Sequence, residues 1–282
     1  MQHAAYSLET DPAPRSCAVF SSPHSGADYP DRFVRESCLS PLQLRSSEDA
    51  YMNELVGDTL GAPVLCARLP RAYVDLNRAA DELDPGVISG ARGLQTNPRI
   101  AAGLGVIPRV VANGRAIRLG KMPMQAAQAR LKHAYHPYHK ALKEIIAAQR
   151  RRFGVCHLFD LHSMPRSAVP KGFCVRRPDV ILGDRFGTAC EPQLSDAVAR
   201  AFREAGFEVA QNTPFAGGYI TRHYGAPHNG VHAIQIELDR SLYMNEKTIT
   251  LRPDFAAFQA RFAAVLTALA ALSSGAQRIA AE

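Results

Sequence analysis

The fold of this chain is decided by one apolar stretch near its middle, Val155-Cys156-His157-Leu158-Phe159-Asp160-Leu161. An almost uninterrupted apolar run of this length is typical of a strand that is buried on both faces of a parallel sheet. The run gives way to His162-Ser163-Met164-Pro165, so we expect the chain to leave the sheet there. The stretch therefore predicts a central strand whose carboxyl end carries a histidine.

Strands and helices are predicted to alternate on both sides of this stretch. Ser46 or Ser47 is expected to cap one of the helices, and Pro137 is expected to kink or split another. The alternation favours an α/β fold, in which a mixed, mostly parallel central sheet is flanked by helices on both faces. The remaining strands are predicted at 17–20, 64–67, 72–76, 180–182 and 231–238, and the helices at 40–60, 123–152, 190–205 and 253–272.

The length of 282 residues is enough for one large α/β domain or two small ones. Neither an internal repeat nor a clear linker divides the sequence. We therefore expect a single domain over 16–282, preceded by a flexible, proline-containing segment over 1–15.

Composition limits which binding partners and which cellular compartment we expect for this protein. The formal net charge is +7, but the arginines are scattered, so the sequence argues against nucleic-acid binding and favours a field that attracts a small anionic substrate. The beginning of the sequence lacks the apolar core of a signal peptide, and no run is long enough to cross a membrane. The six cysteines include no CxxC pair. We expect a cytoplasmic protein without a membrane partner, and the sequence does not indicate its oligomeric state.

Two histidines stand at the ends of apolar runs. His24 lies in Ser22-Pro23-His24-Ser25-Gly26, a tight loop after the strand predicted at 17–20, and His162 ends the central strand. Asp160 shares a strand face with His162 and could orient its imidazole. A loop histidine without function, or a histidine that is merely hydrogen-bonded in the core, remains an alternative for each.

Two further segments carry charge where the pattern predicts strands. Asp75-Leu76-Asn77-Arg78 places an amide beside a guanidinium, and arginine can bind a carboxylate through two parallel hydrogen bonds. Glu237 interrupts an apolar run, where it is a candidate general base. The alternatives are a surface salt bridge for Arg78 and an edge strand for Glu237, with its side chain facing water.

Together these residue types point to metal-assisted hydrolysis. Zinc bound by two histidines and one carboxylate keeps a fourth position open for water, whose pKa the metal lowers. A glutamate can then accept a proton from that water and transfer it to the leaving amine.

The same segments resemble the N-formylglutamate amidohydrolase family. The resemblance runs in order from about residue 18 to residue 246 and is carried by SPHSG with Tyr29-Pro30, Ser47-Glu48-Asp49, PRAYVDLNR, DLHSMP, and GGYITRHYG leading to IQIELDR. This family is similar to the zinc carboxypeptidases, so a zinc carboxypeptidase-like fold is implied. The implied activity is hydrolysis of the amide of an N-formyl or other small N-acyl amino acid.

Carried over residue by residue, the resemblance implies a zinc site at His24 and His162, and Glu237 as the general base. Asn77 and Arg78 would hold the substrate carboxylate. Apart from the resemblance, Arg71 is a candidate to stabilise the oxyanion with its positive charge, and Tyr219, in a glycine-rich segment next to the strand of Glu237, is a candidate substrate contact.

The third zinc ligand departs from the carboxypeptidase pattern. Carboxypeptidases place a glutamate three residues after the first histidine, where this chain has Ala27. Asp49 aligns with the second aspartate of the Asp-Thr-Asp-Trp-His pattern found in formylglutamate enzymes, whereas Glu48 and Tyr51 replace its threonine and histidine. We therefore predict Asp49 as the ligand and keep Glu48 as the alternative.

Other functions on the same fold remain open at this point. A carboxypeptidase, a peptidoglycan-type amidase or a zinc protein that only binds would each fit the motifs. The role of His133, His136 and His139, spaced by three along a predicted helix, also stays open, with a partly solvated polar face favoured over a metal site.

Overall fold

The computed structural model describes residues 4–11, 15–57, 61–91, 98–169 and 176–272. Its centre is a seven-stranded sheet with the order β1-β3-β2-β6-β9-β7-β8. The strands of this sheet are β1 (Tyr6–Glu9), β2 (Ala18–Ser22), β3 (Val64–Ala67), β6 (Cys156–Met164), β7 (Val180–Gly183), β8 (Val209–Gln211) and β9 (Val231–Asp239). Two small two-stranded sheets pair β4 (Ile88–Ser89) with β5 (Met122–Pro123) and β10 (Met244–Asn245) with β11 (Thr250–Leu251).

Strand direction confirms the mixed, mostly parallel sheet. The neighbours β3, β2, β6 and β9 are parallel, β7 runs antiparallel to β9, and β1 runs antiparallel to β3. The central strand β6 is buried along all nine residues, as its apolar run predicts. Because four neighbouring strands are parallel, their carboxyl ends meet at one edge of the sheet, which is where ligands bind in open α/β folds.

Helices cover both faces of the sheet, as predicted. One face packs against the apolar sides of α3 (Met52–Val56), α7 (Pro192–Glu204) and α9 (Phe255–Ala270), and the other against α5 (Met124–Arg130), α6 (His136–Phe153) and α8 (Tyr219–Tyr224). The other α-helices in the described ranges are short: α1 (Asp31–Glu36), α2 (Pro41–Arg45) and α4 (Pro98–Ala101). No helix in the described ranges is both long and apolar enough to span a membrane.

The helix predicted at 40–60 is wrong. It is two short helices, α2 and α3, and the cap of α2 is Ser40, whose side chain accepts from the Gln43 N–H, while Ser46 lies at the carboxyl end. Tyr51 adopts a left-handed conformation with φ of 64°, which a continuous helix excludes. Glu48 and Asp49 therefore lie in the turn between two helices instead of at a helix start. Residues 58–60 lie outside the described ranges.

Two other predictions differ from the structure. Residues 72–76 form turns, because the Tyr73 and Val74 N–H groups donate to the Pro70 carbonyl and not to a neighbouring strand. The segment predicted to be flexible contains β1, which pairs with the free edge of β3. Its residues 1–3 and 12–14 lie outside the described ranges.

Pro137 does not split the helix predicted at 123–152, but the turn before it departs from α-helical geometry. The helical segment is continuous from α5 to α6, but Leu131–Tyr135 between them is a π-helical turn. Proline has no N–H to donate, and a local change from the i−4 to the i−5 pattern is one way a helix accommodates such a break.

Candidate metal centre and active site

Three predicted ligands, His24, Asp49 and His162, meet at the carboxyl edge of the parallel strands. One donor atom from each lies within 4.8 Å of the other two, and all three side chains are buried. Asp49 Oδ2 lies 3.5 Å from His24 Nδ1 and 3.0 Å from His162 Nδ1. Three segments that are distant in sequence therefore form one group that could hold a metal ion.

The backbone explains how two of these segments come together. Gly26 allows the loop after β2 to lie against the chain at Leu69, since a Cβ atom there would stand 2.2 Å from the Leu69 carbonyl oxygen. The Asp49 N–H donates to the His24 carbonyl at 3.1 Å, which holds the turn between α2 and α3 against this loop.

A carboxylate orients each imidazole from behind. His24 Nε2 lies 2.7 Å from Asp75 Oδ1, and His162 Nε2 lies 3.0 Å from Asp160 Oδ2. Both Nδ1 atoms consequently face Asp49. Partners of this kind fix the ring orientation and the tautomer of a metal-binding histidine and raise its basicity.

The burial and the spacing of these three side chains fit a zinc ion. His24 Nδ1 is buried and has no hydrogen-bond partner within the described residues, which is costly unless a ligand satisfies it. Zinc–ligand bonds of about 2.0–2.2 Å in a tetrahedron put neighbouring ligand atoms roughly 3.3–3.5 Å apart. The separations of 3.0 and 3.5 Å about Asp49 Oδ2 are close to this value.

Electrostatics favour a charged centre. Burial opposes ionisation of Asp49, yet its close contacts with His162 and His24 and the charge of Arg240 hold the pKa of its carboxyl well below the usual range. Burial also works against charge on His162, but Asp160 and Asp49 raise the pKa of this imidazole well above its usual value. A proton and a metal ion compete for the same Nδ1 lone pair, so metal binding here releases a proton.

Glu48, the alternative ligand, belongs to a different set of contacts. Its carboxylate accepts hydrogen bonds from the Tyr29 hydroxyl and from Arg45 Nε at 3.0 Å. The structure therefore places Asp49, and not Glu48, in the group with the two histidines.

Glu237 is a central residue of the sheet. It is directly opposite His162 in the register of β6 and β9, and only 9% of its surface is exposed. The edge-strand alternative is therefore wrong. Burial raises the pKa of Glu237 and the charge of Asp49 adds to this, against the opposing charges of His162, Arg240 and Arg71. A raised pKa makes a carboxylate a stronger proton acceptor, as general-base catalysis requires.

Gln235 holds the Glu237 carboxylate in place. Its Nε2 donates to Glu237 Oε1 at 2.7 Å, while its Oε1 accepts from the Gly218 N–H at 2.6 Å. Because the Gly218 N–H can only donate, the Gln235 atom that it contacts must be the amide oxygen, so the amide nitrogen of Gln235 faces Glu237. Gln235 and Glu237 share a strand face, so the spacing of two could have indicated the pair.

Asn77 and Arg78 lie close to the histidines but make internal contacts. Asn77 Oδ1 accepts from the Ile220 N–H at 2.8 Å, and its Nδ2 lies 3.2 Å from His162 Nε2. A Cβ atom on Gly218 would stand 2.3 Å from the Asn77 amide, so glycine is required at 218. Arg78 donates through Nε to the Leu104 carbonyl and through Nη1 to the Asn77 carbonyl, both at 2.9 Å.

A cavity of about 620 Å³ opens beside the metal-binding group. Arg71 lines it and donates to Asp75 at 2.8 Å, so it connects the cavity with the carboxylate behind His24. Of the predicted site residues, Arg71 lines this cavity, as does the alternative ligand Glu48. Arg45 and Arg240 add two more cations to its wall, but the carboxylates of Glu48, Asp75 and Glu246 balance the three guanidinium groups, so the lining is formally neutral.

Tyr219 and His139 pack among aromatic rings and lie outside the metal-binding group. Tyr219 begins α8, where its ring stacks on His223 at 4.9 Å. His139 is bonded to the Tyr224 hydroxyl and the Leu76 carbonyl, both at 2.9 Å, and burial lowers its pKa to about 4. His133, His136 and His139 do not form a metal-binding group in the described ranges. His139 instead supports the turn that carries Asn77.

Sequence reasoning missed the contact made by Arg240. Its Nη2 donates to Asp49 Oδ1 at 2.8 Å, and its Nε donates to the Ser163 hydroxyl at 3.0 Å. The guanidinium thus occupies one oxygen of Asp49 and leaves Oδ2 to face the histidines. Arg240 follows Glu237 by three residues, but no spacing rule links it to a carboxylate 191 positions away.

Comparison with known proteins gives the class and then the family. The profile of the N-formylglutamate amidohydrolase family matches residues 16–244. The protein is a hydrolase that acts on an amide bond, and the chain belongs to the N-formylglutamate amidohydrolase family.

Relatives and solved structures agree with this assignment. The N-formylglutamate deformylase of Pseudomonas putida is 33% identical, over 84% of this chain and 86% of the relative, and that of Pseudomonas aeruginosa is 36% identical over 81% and 82%. The crystal structure of an N-formylglutamate amidohydrolase from Ralstonia eutropha superposes with a TM-score of 0.86, at 34% identity over 95% of this chain and 96% of the other. A gene product of Agrobacterium tumefaciens, 18% identical with a TM-score of 0.63 over 95% and 97%, shares the fold.

Replacing Asp49 and Glu48 one at a time tests which of these two neighbouring acids is the third zinc ligand. We predict that Asp49→Asn weakens zinc affinity at least about a hundredfold, because changes even to the partners of metal ligands cost about ten- to a hundredfold. Glu48→Gln should leave zinc affinity within a few fold, since its contacts are Tyr29 and Arg45. Zinc content after equilibrium dialysis measures both. Loss of zinc from the Glu48 variant alone would reverse the assignment.

Proposed function

We propose that this chain is a zinc-dependent deformylase that hydrolyses N-formylglutamate to formate and glutamate. The observation that carries the proposal is the buried His24-Asp49-His162 group with the Glu237 carboxylate opposite it, in a chain of this family. Both Pseudomonas relatives bear the name N-formylglutamate deformylase, which supports this substrate.

The donor set supports zinc. Two imidazole nitrogens and one carboxylate oxygen, with a fourth position for water, are the ligands of many catalytic zinc sites. A zinc ion held there would polarise the amide carbonyl and lower the pKa of its coordinated water.

The residues around this group are assigned the proton transfers and the stabilisation of charge in the reaction. Glu237 accepts the proton of the attacking water and transfers it to the nitrogen of the leaving glutamate. Gln235 holds one carboxylate oxygen, so the other is free to accept the proton. Arg71, on the cavity wall beside Asp75, stabilises the negative charge that develops on the amide oxygen.

The substrate carboxylate is assigned to Arg78 with Asn77, and a further substrate contact to Tyr219. The contacts of Arg78 Nε and Nη1 with two carbonyl groups fix the plane of the guanidinium. Among the described residues these contacts leave its Nη2 as the donor for an anion. A fixed plane reduces the entropy lost when the carboxylate binds.

Family membership supports an N-acyl amino acid as the substrate over the peptides expected of a carboxypeptidase or a peptidoglycan-type amidase. A binding protein without catalysis would have no need for Glu237, whose burial with a raised pKa is costly.

Glu237→Gln tests the general base. The amide keeps the size of the side chain but cannot accept the proton, so we predict that kcat falls at least about a hundredfold while zinc stays bound. Steady-state kinetics with N-formylglutamate and metal analysis of the same sample check this. Glu144→Gln, at an exposed acid of α6, is the control and should keep its activity. A near-normal kcat would contradict the mechanism, and loss of zinc would make Glu237 a ligand.

Arg78→Lys tests the carboxylate contact. Lysine keeps the charge but not the planar fork, and a hydrogen bond to a charged group is worth about 1.5–3 kcal/mol. We predict that kcat/KM for N-formylglutamate falls by about ten- to a hundredfold. The analogue whose α-carboxylate is an amide should lose much less. Arg222→Lys, at an exposed position of α8, is the matched control. Equal losses for acid and amide would show that Arg78 does not bind this carboxylate.

A further inference from the structure

A second cavity, of about 210 Å³, lies away from the metal-binding group. None of its lining residues lines the large cavity beside the metal-binding group. Its walls come from α1, from α5 and from the turn at Tyr73, and its charged side chains are Arg32, Glu36, Arg118 and Arg130.

Arg130 is a buried cation of this pocket, and the described part of the chain gives it no carboxylate partner. Only 8% of its surface is exposed, and its guanidinium lies 4.4 Å from the ring centre of Tyr73 and 5.1 Å from that of Phe33. Its Nη1 donates to the Tyr73 carbonyl at 3.2 Å. In the described ranges no acid lies within ion-pair distance of it, and burial lowers its pKa to about 10. A buried charge of this kind is costly unless a counter-ion binds.

Arg118 adds a second unsatisfied donor. Its side chain is half-buried, and its Nε is buried with no hydrogen-bond partner among the described residues. Arg32 is the only guanidinium of the pocket with an ion-pair partner in the described chain, Glu36 at 2.7 Å. Three guanidinium groups and one carboxylate leave a formal excess of two positive charges around the cavity.

The aromatic contacts prepare Arg130 for a ligand. With its plane fixed by Tyr73 and Phe33, the guanidinium loses little freedom when an oxyanion binds to its edge. Carboxylates and phosphates match the donor spacing of this fork, and charge-assisted hydrogen bonds to them are about twice as strong as neutral ones.

We propose that Arg130 and Arg118 form a second binding site, separate from the active site, for a small oxyanion of the carboxylate or phosphate class. The anion accepts hydrogen bonds from the guanidinium groups of Arg118 and Arg130, both of which line the cavity. It also offsets the repulsion among Arg32, Arg118 and Arg130.

Calorimetric titration with two probes, inorganic phosphate and glutarate, tests the site. The titrations use the zinc-loaded protein and the Asp49→Asn variant, in which an anion bound at the metal ion no longer contributes. Any glutarate held by Arg78 binds equally in the Arg118 and Arg130 variants below, which therefore separate it from binding at the second cavity. We expect one of the probes to bind in the millimolar range or tighter in both proteins. The tighter probe identifies the ligand as a phosphate or a carboxylate.

Two variants and one control locate the binding. Arg118→Gln removes a donor that has no hydrogen bond to lose within the described residues, so the fold should be unaffected, and affinity should fall at least about tenfold. Arg130→Lys keeps the charge without the fork and should also bind more weakly. Arg115→Gln removes an exposed charge from the same segment outside the pocket and should bind like the parent. The proposal is overturned if neither probe binds in the Asp49→Asn background, if Arg118→Gln binds as tightly as the parent, or if Arg115→Gln loses as much affinity as Arg118→Gln.

Discussion

The carboxylate of Asp49 lies in the interior between two imidazoles and one guanidinium, and the arrangement of the site depends on it. Oδ1 accepts from Arg240, so Oδ2 faces the Nδ1 atoms of His24 and His162. An ionised carboxylate in such a place is stable only because these donors surround it. The same contacts hold together the loop after β2, the turn between α2 and α3, and the ends of β6 and β9.

The buried partners of the two histidines and of Glu237 then determine how these side chains are oriented. Each histidine has a carboxylate on its Nε2 side, Asp75 or Asp160, so both rings present Nδ1 to the same point. Glu237 is brought to that point by the register of two central strands, and Gln235 fixes its orientation. The geometry of the proposed catalytic groups is therefore set by rigid strands and by the partners of those groups.

The sequence predicted the parts whose signals are local. β6 has an almost uninterrupted apolar run because both of its faces are buried, and α9 repeats apolar residues with a helical period because one of its faces is buried. Both elements lie where they were expected. The helix predicted over 40–60 failed because a left-handed Tyr51 leaves no clear sign in composition. The strand predicted over 72–76 failed because an apolar alternation does not show whether a neighbouring strand is available for pairing. At the site, motifs indicated His24, His162 and Glu237. Arg240 could not be found, since its contact with Asp49 exists only after the sheet has formed.

The most direct test of the central claim is the position of zinc in crystals of the active protein, located by anomalous scattering at the zinc absorption edge. The account predicts one strong peak per chain, about 2.0–2.2 Å from His24 Nδ1, His162 Nδ1 and an oxygen of Asp49. A peak on other residues, or an amide-hydrolysing protein with no zinc peak at this group, would contradict it.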